Sequence, residues 1–161
     1  MTVEEYNRCV EDHSDGLYRF ILKNIRDSEK ASDIVQDSFE KLWRKRGDVS
    51  YIKSKSYLFS TAYHTMIDGI RKDKRMDEFS KVKAETYSHD QHYTDLQEIL
   101  HAALQRLPEI QKVVILLRDY EGYKYSEIGE ITGLSESQVK VYIYRGRLYL
   151  KEYIGSMQAV I

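Results

Sequence analysis

Basic and aromatic side chains alternate in one short segment toward the carboxyl end of the chain. Residues 133–150 read GLSESQVKVYIYRGRLYL, so that Lys140, Arg145 and Arg147 lie among tyrosines after a glycine. Ammonium and guanidinium groups bind phosphates, while hydroxyl and amide groups can reach base edges in a DNA groove. The segment therefore has the chemistry of a nucleic-acid contact, although an amphipathic helix with a charged outer face would have the same composition.

The residues before this helix have the spacing of a helix-turn-helix. Gly133 supplies the turn, and Gly129, four residues earlier, is small enough for two helices to pack closely. Ser135 and Gln138 form the pattern of a capping box, in which each side chain satisfies a free backbone amide at the start of the second helix. These features favour a DNA-binding helix over a helix that only closes a bundle.

The residues of the second helix that are predicted to be buried also show which residues face outward. Val139 and Ile143, with Ile128 and Leu134 from the preceding segment, can form the core that the two helices share. The residues left to face outward are Ser137, Gln138, Lys140, Val141, Tyr144, Arg145 and Arg147. Most of them are donors for phosphates or base edges, and Val141 adds an apolar patch that suits a thymine methyl group.

The charge of the whole chain limits how it can bind nucleic acid. The 161 residues include 25 lysines and arginines and 26 aspartates and glutamates, which gives a formal net charge of -1. Non-specific affinity for DNA comes mainly from cations that neutralise phosphates. Any binding to DNA must therefore be local. The charges are unevenly distributed along the chain, since RKDKR at 71–75 is basic and DIVQDSFE at 33–40 has only acidic charges.

Several function classes lack a supporting pattern in the sequence. Cys9 is the only cysteine, and the five histidines occur neither at zinc-ligand spacing nor in a known catalytic motif. No run approaches the roughly 20 apolar residues that span a bilayer, and the first residues are charged where a secretory signal is apolar. We therefore expect a cytoplasmic protein that is not inserted in a membrane, is not an enzyme, and has no catalytic residues, metal site or cofactor.

The elements that must position these residues are predicted to be helices. Apolar residues recur at intervals of three and four, the chain has one proline, and long β-type alternation is absent, so the predicted fold class is all-α. Helices over about 4–24, 27–45 and 55–75 would form an N-terminal bundle of three to four helices. This bundle is the first predicted domain, residues 1–76.

A polar segment, residues 77–93, separates this bundle from the rest of the chain. It is rich in Ser, Asp, His and Lys, and as a linker it could extend to roughly 55 Å at about 3.3 Å per residue. Beyond it, residues 96–107 are amphipathic, Pro108 can open the next helix, and Gly122 can close it. Together with the helix-turn-helix, these elements make residues 94–161 the second small helical domain.

Taken in order, these segments resemble the extracytoplasmic-function (ECF) group of bacterial RNA polymerase sigma factors over about residues 4–154. The resemblance is carried by ASDIVQDSFEKLW, SYLFSTAYHTMIDGIRKDKR and ALQRLPEIQKVVILLRDYEGYKYSEIGEITGLSESQVKVYIYRGRLYLKEYI. It implies an alternative sigma factor that binds core RNA polymerase and directs promoter recognition and transcription initiation. In this family the first domain binds the polymerase clamp and opens the minus-ten element, and the second reads the minus-thirty-five element as duplex. An anti-sigma factor is a further expected partner, beside core polymerase and promoter DNA.

The resemblance assigns a polymerase-binding role to the acidic segment. Its candidate residues are Asp33, Gln36, Asp37 and Glu40, which correspond to the family's clamp-binding segment and lie off the apolar stripe. An acidic, amide-bearing face suits a basic partner, because complementary charge guides docking and register. A solvated helix face is the alternative explanation for these four residues.

The resemblance places the minus-ten contacts in a loop at 45–57 and in the helix after it. Tyr51 and Tyr57 are candidates to stack on a flipped base, and Lys53 and Lys55 to donate to it. His64 lies where the family commonly has an asparagine, and an imidazole can also donate to a base edge. The further candidates are Arg71, Lys72, Lys74 and Arg75, which could bind phosphates or could simply be a soluble helix end. Phe59 and Tyr63 are expected in the core.

In the second domain, Lys140, Val141, Tyr144 and Arg145 match the family's major-groove face. Three positions differ from the family: Lys124 replaces a helix-capping serine, Val141 a serine, and Gly146 an alanine. A glycine should weaken the helix by up to about 1 kcal/mol relative to alanine. The alternative function is a helix-turn-helix regulator with an N-terminal dimerisation or sensing bundle, which would bind a palindromic operator without polymerase.

Overall fold

A computed structural model describes the backbone of residues 1–80 and 95–160. The described residues form seven α-helices and contain no β-strand, which confirms the all-α prediction. The helices are α1 (Val3–Ile25), α2 (Ser28–Arg44), α3 (Tyr51–Ser80), α4 (Asp95–Arg106), α5 (Glu109–Ile115), α6 (Tyr125–Thr132) and α7 (Glu136–Val160). A π-helical turn, Leu116–Tyr120, continues α5 directly.

The first three helices pack against one another as the predicted N-terminal bundle. Local signals begin α1 and α2: Thr2 and Glu5 form a capping box, and the Asp27 carboxylate accepts from the Lys30 amide at 3.1 Å. The core of the bundle is fully buried and includes Leu17, Phe20, Ile21, Leu42, Leu58, Phe59, Ala62 and Met66. Each large apolar side chain buried there contributes about 1.5–3 kcal/mol. Phe59 is a core residue as predicted, and Tyr63 packs against the core from its edge.

The predicted loop at 45–57 is wrong over its second half, because α3 already begins at Tyr51. The turn itself is short, and the Asp48 amide donates to the Lys45 carbonyl at 2.8 Å. From 51 to 57 the chain has neither glycine nor proline to interrupt a helix. Ser54 is buried in the first turn and accepts from the Cys9 thiol at 3.0 Å, which ties the new helix to α1. The minus-ten candidates of this segment are therefore helical residues.

The other end of α3 also extends beyond its predicted limit. The helix continues to Ser80, so that the basic residues 71–75 and the first residues of the predicted linker are helical. The rest of the predicted linker, residues 81–93, lies outside the described residues. The division into residues 1–76, 77–93 and 94–161 stays a prediction.

The second half of the chain begins its helices where the sequence predicted. Pro108 is the N-cap of α5, and Gly133 ends α6 in the left-handed conformation, with φ 81°. The Gln138 amide donates to Ser135 Oγ at 3.2 Å, and the Ser135 amide donates to Gln138 Oε1 at 3.0 Å, so the capping box is confirmed. A Cβ added at Gly129 would lie 2.8 Å from the Leu134 carbonyl oxygen, which confirms the close approach at the turn.

Gly146 has a packing role that the sequence did not reveal, in addition to its lower helix propensity. A Cβ added at this position would lie 2.2 Å from Ile115 Cδ1 and 3.3 Å from Ile115 Cγ1. Gly146 is itself buried where α7 crosses α5. The missing side chain is therefore what allows the two helices to approach, and this packing offsets the lower helix propensity of glycine.

The π-helical turn was not predicted from the sequence. The Glu121 amide donates to the Leu116 carbonyl at 3.1 Å, a bond that spans five residues instead of the four of an α-helix. The chain then turns at Gly122, where φ is 74°. This turn directs Asp119 toward α7 and Glu121 toward α1.

The two halves of the described chain pack directly on each other. Tyr123, which is 5% exposed, meets Phe59 edge to face with ring centroids 5.0 Å apart. Burial raises the pKa of the Tyr123 phenol well above its usual range. The buried Lys112 ammonium donates to the Asn24 carbonyl at 2.8 Å, and Gln105 Nε2 donates to the Lys23 carbonyl at 3.2 Å. Residues of the second half thus bind free carbonyls at the C-terminal end of α1.

Candidate polymerase and promoter-DNA surfaces

The acidic face of α2 lies on the side opposite its buried residues. Asp33, Gln36 and Glu40 are exposed and Asp37 is half-buried, and their spacing of three and four places them in one stripe. Two of the carboxylates have local cationic neighbours: Asp37 pairs with Lys41 at 3.0 Å, and Glu40 with Arg44 at 2.6 Å. These exposed pairs between neighbouring turns are weak and can exchange for a cationic partner.

The outward face of α3 gathers five of the nine minus-ten candidates. These are Lys53, Tyr57, His64, Arg71 and Arg75, separated by steps of four and seven residues. Such steps return to the same side of an α-helix, so the five residues lie along a strip opposite the buried Phe59, Ala62 and Met66. Tyr57 is half-buried within this strip and packs against the core. The strip combines cations with aromatic groups, as single-stranded nucleic acid requires.

The other four minus-ten candidates lie off this strip. Tyr51 is half-buried against the core, with the Arg8 guanidinium 5.8 Å from its ring centroid. Lys55 points toward the second half of the chain, where its ammonium lies 4.1 Å from the Tyr123 ring centroid. Lys74 lines a cavity of about 530 Å³ between the two halves. Lys72 is exposed beside the strip.

Carboxylates from α6 already contact the two lysines at the start of α3. Lys53 Nζ lies 3.6 Å from Glu130 Oε1, and Lys55 Nζ lies 3.7 Å from Glu127 Oε2. The Ser56 hydroxyl also donates to Glu130 Oε2 at 3.2 Å. The beginning of the predicted minus-ten surface is thus occupied by side chains of the second half.

The outward face of α7 is open. The seven predicted minus-thirty-five residues are all exposed, among them Val141 at 44% and Tyr144 at 69%. Ser137, Val141 and Tyr144 form the centre of the face, with Lys140 on one side of it and Arg145 on the other. The buried side of the same helix contains Val139, Ile143 and Gly146. The structure confirms which residues of this helix are buried and which are exposed.

Two of the cations on α7 have partners within the chain. Arg147 donates through both Nε and a terminal nitrogen to the Asp119 carboxylate, and this hydrogen bonding raises the pKa of the guanidinium. The Lys140 ammonium lies 5.5 Å from the Tyr125 ring centroid. Arg147 is therefore anchored to the π-helical turn, whereas Arg145 has no ion-pair partner among the described residues.

Leu148 is a member of the α7 face that sequence reasoning missed. It is 45% exposed and follows Tyr144 by four residues, so it extends the central stripe by one turn. The helical spacing alone could have identified it. The glutamates that face Lys53 and Lys55 had no comparable signal, because they are more than 70 residues away in the sequence.

No three His, Cys, Asp or Glu side chains described here are grouped so that they could hold a metal ion. None of the described helices has both the length and the apolar character needed to cross a membrane.

Comparison with known families identifies both halves of the chain. The family model "Sigma-70 region 2" matches residues 9–76, which include the acidic face and the strip on α3. The model "Sigma-70, region 4" matches residues 97–150, which include the helix-turn-helix.

Individual relatives agree with the family models. The RNA polymerase sigma factor SigV of Bacillus subtilis (strain 168) is 34% identical over 140 residues, covering 85% of this chain and 83% of SigV. The ECF RNA polymerase sigma factor SigM of the same bacterium is 26% identical over 157 residues, covering 94% of both chains. Among solved structures, the sigma factor RpoE from Bartonella quintana, in complex with the anti-sigma factor NepR, is 26% identical with a TM-score of 0.80. That alignment covers 95% of this chain and 98% of RpoE.

The chain belongs to the ECF group of RNA polymerase sigma factors. The resemblance seen in the sequence is confirmed, and with it the two-domain helical architecture. As an alternative sigma factor, the protein directs promoter recognition and transcription initiation by RNA polymerase.

Proposed function

We propose that this sigma factor divides its work among three surfaces: the acidic face of α2 for core polymerase, the strip on α3 for the minus-ten element, and the outward face of α7 for the minus-thirty-five element. The observation that carries this proposal is the position of the surfaces on three different helices, each opposite a buried side. None of the three surfaces overlaps another, so a contact at one of them does not use residues of the other two.

The α2 face suits a basic partner surface. Its carboxylates are exposed, and their ion pairs with Lys41 and Arg44 are intrahelical and weak. A polymerase surface with arginines or lysines would exchange these pairs for pairs across the interface, which sets the orientation of docking. We assign Asp33, Gln36, Asp37 and Glu40 to this contact.

The α3 strip suits a melted strand. Tyr57 and His64 offer ring faces and edge donors, while Lys53, Arg71 and Arg75 follow the same side of the helix and can bind successive phosphates. Tyr51, Lys55, Lys72 and Lys74 would contribute from the margins of this surface. Tyr51 also supports the first turn of α3 from the core side.

The α7 face suits duplex DNA in the major groove. Arg145 and Lys140 flank an apolar centre made by Val141, Tyr144 and Leu148, so that donors surround a patch able to meet thymine methyl groups. Ser137 and Gln138 lie at the N-terminal end of the helix, where phosphates bind readily. Arg147 would act mainly by holding α7 to the π-helical turn through Asp119.

The charge balance fits a factor that needs its polymerase. With a net charge of -1, the chain has little general affinity for DNA, and each promoter element would be bound weakly by itself. Core polymerase would hold both domains on one DNA, and the linkage of two weak contacts raises apparent affinity by orders of magnitude. The protein would act in the cytoplasm, without catalysis of its own. An anti-sigma factor is a further expected partner, since the related RpoE was solved in complex with one.

Two substitutions test the division of work. Asp37→Ala should weaken binding to purified core polymerase and leave binding of duplex DNA to the free chain unchanged. Arg145→Ala should do the reverse, with a loss of about 1–3 kcal/mol for the specific duplex, as for other base-edge contacts. Glu11→Ala on α1 and Arg106→Ala on α4 are charge-matched controls away from both surfaces. Equal effects of both substitutions on both assays would contradict the division.

A further inference from the structure

A cavity of about 530 Å³ lies where the C-terminal end of α1, the start of α2 and the second half of α3 meet the junction of α4 and α5. Its volume is that of a pocket for a small ligand. Among the residues assigned to polymerase or to DNA, only Lys74 lines it. The cavity is therefore a feature that the three proposed surfaces do not explain.

Much of the cavity wall is apolar. Met66 and Leu107 are buried, and Ile25, Ile34 and Ile70 pack against the core from partly exposed positions. Apolar walls hold water poorly, whereas they bind the hydrocarbon part of an organic ligand. The cavity thus suits a ligand with an aliphatic portion.

Two buried oxygen atoms of the wall lack a donor. Asn24 is only 3% exposed, and its amide nitrogen donates to the Phe20 carbonyl at 2.8 Å. This orientation leaves Asn24 Oδ1 without a hydrogen-bond partner among the described residues, and the same is true of Glu109 Oε1. Buried acceptors without a donor are rare, because each has lost its hydration without replacement. A ligand with N–H groups would supply the missing donors.

The lysines of the wall are engaged elsewhere. Lys112 Nζ donates to the main-chain carbonyl of Asn24 at 2.8 Å and to Gln105 Oε1 at 3.3 Å, while Lys30 Nζ pairs with Asp73 at 3.0 Å. The wall contains three lysines but four carboxylates, namely Asp27, Asp73, Asp77 and Glu109. Its charge balance therefore favours a cation over an anion.

The polarity of the wall changes along α3. Met66 is buried, Ile70 is half-buried, and Asp73 and Asp77 are exposed, with successive steps of four, three and four residues on one side of the helix. Two carboxylates one turn apart repel each other, and Lys30 supplies one positive charge for both. The cavity thus has acceptors at its buried end and a second set at its exposed end, with apolar residues between them.

We propose that this cavity binds an aliphatic diamine or polyamine, with one ammonium group at the two unpartnered acceptors and another at Asp73 and Asp77. The hydrocarbon chain between them lies along Met66 and Ile70. A metal ion would fit less well, because no three His, Cys, Asp or Glu side chains in the described part of the chain are grouped to hold one. The site does not depend on the roles assigned to α2, α3 and α7.

Isothermal titration calorimetry of the full chain tests the ligand class. The probe is diaminobutane with an amino group at each end, and it should bind at one site with a dissociation constant at or below about 0.1 mM. Butanediol with a hydroxyl at each end has the same chain without the charges, and it should bind at least about tenfold more weakly. No saturable binding of the diamine, or equal binding of the diol, would overturn the proposal.

The first variant removes one acceptor charge at the buried end. Glu109→Gln keeps the size of the side chain and should weaken diamine binding by about tenfold or more, because a charge-assisted hydrogen bond is lost. Glu98→Gln removes the same charge at an exposed position of α4 outside the cavity, and should bind as wild type does. Equal affinities of the two variants would show that the diamine responds only to the general charge of the chain, and the site would be rejected.

The second variant fills the cavity without disturbing the core. Gly69 lines the cavity on α3, and a Cβ added there has no described neighbour within 4 Å. Gly69→Leu should therefore keep the helical circular dichroism signal and weaken diamine binding by at least about tenfold. Gly155→Leu is the matched control, because a Cβ at this position of α7 is equally free.

Thermal denaturation gives a second measure of the same variants. Diamine at about 100 times its dissociation constant should raise the melting temperature of wild type and of Gly155→Leu by roughly 5 °C or more, since it binds only the folded chain. The melting temperature of Gly69→Leu should not change. A folded Gly69→Leu chain that still binds the diamine as wild type does would show that the ligand lies elsewhere, and would overturn the assignment to this cavity.

Discussion

The two helices to which we assign the DNA surfaces, α3 and α7, differ in what faces them. Both have cations and aromatic residues on the side opposite the core. On α3 the first lysines lie against glutamates of α6, whereas no described residue pairs with Val141, Tyr144 or Arg145 at the middle of α7. Availability for DNA is therefore decided by the neighbouring helix and not by the composition of the face itself.

In the form described here the assigned α7 face is open, while the first lysines of the α3 strip are paired with glutamates of α6. Substitutions in α7, in the contacts between the two halves or in α3 should consequently give different combinations of stability, compactness and DNA binding.

The largest expected effect concerns the support of α7. Gly146→Ala places a methyl group against the buried Ile115 and should lower the free energy of unfolding by about 1–3 kcal/mol, because overpacking shifts α7 on α5. The matched control is Gly155→Ala in the same helix, where an added Cβ has no neighbour within 4 Å. That change should stabilise by up to about 1 kcal/mol. Urea denaturation measures both, and two shifts of the same sign would contradict the packing role of Gly146.

The next largest effect concerns the contacts between the two halves of the described chain. Arg19→Ala leaves the nearly buried Glu121 carboxylate without its cation and should cost about 1–2 kcal/mol, reduced from the value for a fully buried pair because Arg19 is half exposed. Scattering should show a larger radius of gyration for this variant. Arg19→Lys should retain part of the contact. A compact Arg19→Ala chain with unchanged stability would show that the Arg19–Glu121 pair does not help to hold the halves.

A smaller effect is expected on duplex affinity, which should depend on the α7 face and not on the α3 strip. Tyr144→Ala removes the most exposed aromatic group of α7 and should weaken specific duplex binding by about 1 kcal/mol. Lys53→Ala should leave duplex binding by the free chain unchanged, since Lys53 belongs to the other surface and is already paired. Fluorescence anisotropy with labelled duplex measures both. An equal loss for Lys53→Ala would contradict the separation of the surfaces.

The smallest effect concerns the anchor of α7. Asp119→Asn removes the negative partner of Arg147 and should change stability by less than about 1 kcal/mol, because the pair is partly exposed. Duplex binding should become more salt-dependent, since Arg147 is then free to neutralise a phosphate. An unchanged salt slope would indicate that Arg147 stays on the π-helical turn without the charge of Asp119.

The sequence predicted what depends on local spacing. The helix-turn-helix followed from Gly129, Gly133 and the capping box of Ser135 and Gln138, and the outward face of α7 followed from its periodicity. The acidic stripe on α2 was equally local. Each of these signals lies within about two helical turns, where side-chain direction is determined by the helix itself.

What the sequence did not predict depends on contacts between distant segments. The packing role of Gly146 requires Ile115 from another helix. The contacts of Lys55 with Tyr123 and Glu127 also join residues that are distant in the sequence. The early start of α3 depends on Ser54 meeting Cys9. The π-helical turn has no strong composition signal; its longer hydrogen bond from Glu121 to Leu116 forms where the chain turns toward α6.

The most direct measurement is transcription from a fragment library with bacterial core polymerase, with and without the protein, followed by mapping of the start sites. The three assigned surfaces predict new transcripts whose upstream regions share two short elements at a fixed spacing, and loss of these transcripts in Arg145→Ala and Asp37→Ala. No new start sites with core polymerase, together with binding of a palindromic duplex by the protein alone, would contradict the assignment of the surfaces on α2, α3 and α7.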